Sequence, residues 1–146
     1  MTPASRALLA DFAARLGGVI TPDLKTPYLM GATGLMAALL GMMAEEMDGA
    51  AARLVEENRA IRALFSQALA LSPPAELAGR MTPLASGADD DLHLSALEAA
   101  NSPLRAVLIE LHAWAESQPG ATALNAAIWA ELTKSTQRRK LSAAPF

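Results

Sequence analysis

The two histidines, His93 and His112, and the carboxylates near them are the side chains best suited to metal or acid–base chemistry, so their spacing is the first question. Helical proteins that hold two metal ions place Glu-x-x-His pairs on facing helices. Glu110 precedes His112 by two positions, which puts the two on different faces of a helix, and His93 follows Asp89-Asp90-Asp91 with no Glu three residues before it. His112 instead shares a face with Arg105, Ile109 and Glu116, opposite much of the Leu104, Leu108, Leu111 stripe, and reads as a histidine at the surface or rim. The aspartate run lacks the alternating ligands, turn glycine and distal Glu of a calcium loop, and its carboxylates suit a helix amino terminus. With two histidines and no cysteine, the chain by itself cannot build a three-histidine centre, a thiolate metal site, a thiol nucleophile or a disulfide. No metal and no cofactor are expected.

Nucleophilic chemistry fares no better. There is no Gly-x-Ser-x-Gly elbow and no Ser-x-x-Lys pair, the usual settings of an activated serine. Gly31-Ala32-Thr33-Gly34 has no following Gly-Lys-Ser/Thr and lies in an apolar helical stretch rather than after a strand, so it is no phosphate loop. The formal net charge of −3 leaves nucleic acid to a local patch, and Arg138-Arg139-Lys140 is too small for one; these three read as a solvated tail whose removal leaves the fold intact. The chain is expected not to be an enzyme and not to bind nucleic acid.

The elements that position these residues are helical. The composition is 52% hydrophobic but 4% aromatic, with much of the apolar content in Ala, Leu and Met, which favour helices over strands. At 146 residues, one all-α domain spanning 1–146 is expected, a bundle of five or six helices around a central apolar helix. Thr2-Pro3, Thr26-Pro27 and Ser102-Pro103 each set a capping hydroxyl before a proline fit for a first helical turn. The first helix, with Leu8, Leu9, Phe12 and Leu16 on one face, should stop at Gly17-Gly18. The second runs from Pro27 to about Met47, with Asp48-Gly49 as a turn or the start of the next helix, Ala50 to Leu71. An irregular connection fills about 72–91, rich in Pro, Gly and Ser. A short helix to about Ala100, a fifth from Pro103 to Ser117 and a sixth carrying Leu124, Ile128 and Leu132 complete the chain.

The functional weight falls on the apolar helix. Thr26 to Ala44 carries no charge, and Met30, Met36, Met42, Met43 and Met47 are five of the seven methionines. Apolar residues on every face call for apolar neighbours all round: a core, an oligomer interface or a membrane. The membrane reading is the weaker one, because the segment is dominated by Ala, Gly and Met and the other, amphipathic helices need something to pack on. Asp11 and Arg15 interrupt the apolar run a signal peptide needs, so a cytoplasmic protein is expected. Gly34, Ala38 and Gly41 form a ridge at spacings of four and three that admits a second helix backbone, in the core or in a symmetric dimer. Methionines adapt to irregular neighbours, so the surplus surface suits a homodimer or protein-partner interface. The alternative is a pocket for an apolar, acyl-type ligand, with Met36 and Met43 as walls, Tyr28 at the rim and Lys25 as a nearby cation.

The run LLADFAARLGGVITPDLKTPYLMGATGLMAALLGMMAEEMDGAAARLVEENRAIRALF, and more faintly LRAVLIELHAWAESQPG, resembles an uncharacterised bacterial all-helical family often encoded beside aminoglycoside-phosphotransferase-like kinases and acyl-CoA dehydrogenases. The likeness lies in helix order, in Pro22-Asp23-Leu24 and in the Ala-rich helix ending Ala44-Glu45-Glu46. Where that family carries polar Arg and Asn early in the long helix, this chain has Thr33, Gly34 and Ala37. The resemblance implies a helical accessory protein of unknown role near acyl-CoA or phosphotransfer metabolism.

Overall fold

The computed structural model describes residues 4–142, and every regular element among them is helical. The order is α1 (Ser5–Arg15), a π-helical turn (Leu16–Ile20), the single turn α2 (Thr21–Asp23), α3 (Pro27–Leu69), α4 (Ala75–Ala85), α5 (Leu94–Ser117), a 3-10 turn (Pro119–Ala121) and α6 (Thr122–Arg138). The all-α fold around a long central helix therefore stands. By their internal contacts the described residues form two compact units, one running to Ala50 and taking up the chain again at Lys140, the other Ala51–Arg139. The expected helix start at Thr2-Pro3 lies outside the described residues.

The second unit holds the core. Ile61, Leu64, Phe65 and Ala68 of α3 meet Leu77 and Met81 of α4, Leu104, Val107, Leu108 and Leu111 of α5, and Leu124 and Ile128 of α6. These positions recur at three- and four-residue spacing, so each helix presents one apolar stripe, and full burial of each large side chain contributes about 1.5–3 kcal/mol. The buried part of α3 is thus its second half.

Four expected boundaries differ from the observed ones. The helix does not end at Gly17-Gly18: neither glycine has a positive φ. Instead the chain widens into the π turn, where Thr21 donates both its backbone N–H and its hydroxyl, at 2.7 Å, to the Leu16 carbonyl. No turn forms at Asp48-Gly49, and α3 runs through as 43 residues. Its acids are not stranded at a helix end, because Asp48 lies 3.4 Å from Arg6 and Glu45 accepts the Ser142 backbone N–H at 2.9 Å and its hydroxyl at 2.8 Å.

The connection expected over about 72–91 contains α4. Pro74 supplies an extended amino cap, Leu77 and Met81 are buried one turn apart, and Pro83 falls four residues after Gly79, the smallest residue its ring can face. Ser102-Pro103 does not start a helix but lies inside α5, since Leu97 and Leu104 on either side are both buried and Asn101 is tied down by a side-chain hydrogen bond. Asp89–Asp91 precede this helix and are not part of it.

The first unit is built differently. No residue of α1 is buried, and among the described residues of α3 before Ala51 only Ala44 and Ala50 are. A Cβ on Gly17 would lie 3.5 Å from that of Ala37, so the π turn and α3 approach closely there, through small residues that bury little area.

Candidate functional site

Helix α3 turns about 100° per residue, which separates its amino-terminal half into faces. Ala44 and Asp48 look toward α1, and Ala37 toward the π turn that follows it. On the far side Tyr28, Leu35, Met36, Leu39, Met43 and Met47 stand exposed, the least of them 48% accessible. Of the seventeen exposed large hydrophobic side chains among the described residues, twelve lie between Leu8 and Met47, although this stretch is well under half of the chain. The helix is long and apolar enough to cross a membrane by length and composition, and 11% of its apolar window is buried. Exposed apolar surface of this kind is the chemistry of protein–protein, ligand and membrane contacts alike.

The residues expected to act here are distributed as follows. Tyr28, Met36 and Met43 lie on the exposed face, and Lys25 is exposed in the short link before α3, so the four are open to solvent. Ala38 is exposed and Gly34 and Gly41 half-buried, with no atom within 4 Å of a Cβ built on either glycine. Gly41 shares a shallow depression with Arg6 and Ala10 of α1, so the small-residue ridge borders the α1-facing side, about 100° around the helix from Leu35.

The second unit carries a buried polar layer that residue types and local spacing did not reveal. Asn58, fully buried, donates to Asp89 at 3.1 Å and accepts from Asn101 at 2.9 Å. Asp89 takes a two-pronged contact from Arg62, both hydrogen bonds 2.7 Å long. That guanidinium holds the Asp89 carboxyl below its ordinary range against the opposing effect of burial, with Asn58 and Arg59 adding to the same side. Asp89 thereby closes the loop after α4 onto α3.

A second cluster surrounds Glu57, whose side chain is 4% exposed. Ser135 donates its hydroxyl to one carboxylate oxygen at 3.1 Å, and Arg139 donates to the other and to Ser135. Arg138 similarly pairs with the buried Glu131. The expected solvated tail is corrected here: Arg138 and Arg139 neutralise buried carboxylates, which cannot be left unpaired cheaply. Arg105 lies 4.0 Å from Glu57. Two turns along α5, His112 meets Trp129 edge-on at 5.0 Å between ring centroids, and its Nε2 is buried without a hydrogen bond, 3.6 Å from Glu116. Among the described residues no three of His, Asp or Glu converge as a metal-binding group.

No protein-family model, curated protein or solved structure matches the chain. Its function therefore rests on its own geometry.

Proposed function

We propose that this is a non-catalytic cytoplasmic interaction protein that assembles with a second copy of itself through the exposed face of α3. The observation that carries this reading is the exposure of Tyr28, Leu35, Met36, Leu39, Met43 and Met47 on one side of a helix. Burying such side chains is worth about 1.5–3 kcal/mol each, and within the chain that free energy is not collected.

A second copy fits better than a bilayer for two reasons. Tyr28, Ala32, Leu35, Leu39, Met43 and Met47 follow spacings of three and four, the seam by which two like helices interdigitate, and a twofold contact makes any such face self-complementary. The same unit also carries the Asp11–Arg15 pair at 2.7 Å and the Arg6–Asp48 pair at 3.4 Å, charges that a hydrocarbon layer penalises.

Light scattering and native mass spectrometry across protein concentration test the reading. The chain is expected as a dimer, and Leu39→Glu should render it monomeric, since it sets like charges opposite one another across a twofold seam. Gly34→Leu probes the small-residue ridge and tells which shoulder of α3 makes the contact. A wild-type monomer at all concentrations overturns the proposal. A chain that floats with lipid vesicles, or one that retains an apolar mass of a few hundred daltons on this face, replaces it with a membrane or ligand role.

A further inference from the structure

We infer a small-anion site on the second unit, in a cavity of about 150 Å³ between α5 and α6 whose floor is Glu57 of α3. This inference is independent of the α3 face. Its first support is a surplus charge. Glu57 is already neutralised by Arg139 and hydrogen-bonded by Ser135, so both carboxylate oxygens are engaged. Arg105, 54% exposed and 4.0 Å away, adds a second guanidinium to an acid that already has one. Beyond that loose pairing it makes no hydrogen bond among the described residues, which leaves its planar set of donors, suited to gripping a carboxylate with two parallel bonds, turned to the cavity's edge.

The second support is the wall chemistry. Arg105, Leu108, Ile109 and His112 form one stripe of α5 at spacings of three and four, and Leu132 of α6 faces them across the cavity. An apolar body would lie on Leu108, Ile109 and Leu132 while its anionic group meets Arg105. At the other end His112 presents Nε2, buried and without a hydrogen bond in the chain. A buried polar atom left unsatisfied keeps its full desolvation penalty, which a ligand group or its water would relieve. The other charges facing this end are few: Glu116 lies 3.6 Å from His112, and Glu131 is paired with Arg138.

Size limits the ligand class. A cavity of about 150 Å³ accommodates benzene, so the occupant is a single-ring or similarly compact carboxylate, not a nucleotide or a long acyl chain. An amine of the same shape should bind more weakly, because it would set a second cation against the Arg105 guanidinium at the cavity's edge.

The probe is benzoate, added to the isotopically labelled full chain and followed by two-dimensional NMR, with benzylammonium as the control. Saturable shifts should centre on the Trp129 indole N–H and on α5 near His112, with Kd about 1 mM, as expected for so few atoms. Arg105→Gln should weaken binding about tenfold or more, and Ile109→Asp, at a position 72% exposed and so harmless to the fold, should abolish it. Shifts that grow linearly without saturating, equal binding of benzylammonium, or undiminished binding by Arg105→Gln each overturn the site. In the last case Arg105 is only a second clamp on Glu57.

Discussion

Asp89 shows at the scale of one residue how a side chain from an acidic run becomes structural. Its side chain is 7% exposed and receives Arg62 through two hydrogen bonds and Asn58 through a third. Because its folded pKa is depressed, Asp89 contributes stability that is fully present above the ordinary carboxylate range and is lost as pH falls through the folded value. Asp89→Asn should therefore destabilise by about 3 kcal/mol at neutral pH and flatten the acid limb of a chemical-denaturation series, which compares the two proteins from pH 7 downward. Arg139 supplies the companion case. Arg139→Ala leaves Glu57 with Ser135 and a guanidinium at 4.0 Å, and should lower stability by about 3 kcal/mol, the low end for an orphaned buried charge. A denaturation midpoint unchanged in the alanine variant would return Arg139 to the role of a solvated cation.

At the scale of the element, α3 is the helix most at odds with local signals. Gly49 sits inside it with nothing within 4 Å of a Cβ, so Gly49→Ala should stabilise by about 0.5–1 kcal/mol, measured by denaturant melts; a turn there would give the opposite sign. The helix ends at Leu69, and Ser72 carries a φ of 53°, the left-handed conformation that an L side chain resists. Ser72→Gly should relieve about 1 kcal/mol of that strain. Proline signals were misleading for the same reason in α4 and α5. A proline removes one hydrogen bond, whereas the apolar side chains on both sides of Pro83 and Pro103 keep the helix on the core.

Over the whole molecule, apolar burial is unequal. The Ala51–Arg139 unit encloses large side chains such as Ile61, Phe65, Met81, Leu111 and Ile128, each 1% exposed or less. Among its described residues the amino-terminal unit buries only the alanines Ala44 and Ala50 and leaves Leu8, Leu29, Leu35, Leu39, Met30, Met36, Met43 and Met47 exposed. Local opening free energy follows buried apolar contact, so amide exchange should be fast in α1 and slow in α5 and α6. If α3 pairs with a second copy, exchange over Tyr28–Met47 should slow as protein concentration rises, while exchange in α5 stays constant. Exchange in α3 that ignores concentration would speak against self-association.

The all-helical class, the apolar stripes of α5 and α6 and the anomalous apolarity of Thr26–Ala44 were legible from composition and period alone, because helix propensity and hydrophobic spacing are local properties. The shared face of Arg105, Ile109 and His112 was legible for the same reason. The continuity of α3 through Asp48-Gly49 was not, since the partners of its acids, Arg6 and Ser142, come from distant parts of the chain. Nor was the pairing of Glu57 with Ser135 and Arg139, more than 75 residues away along the chain, or the exposure of the methionine face. Pattern says that a side chain seeks an apolar or an opposite-charged neighbour. Only tertiary packing decides which neighbours this chain supplies to itself and which surface it leaves for another molecule.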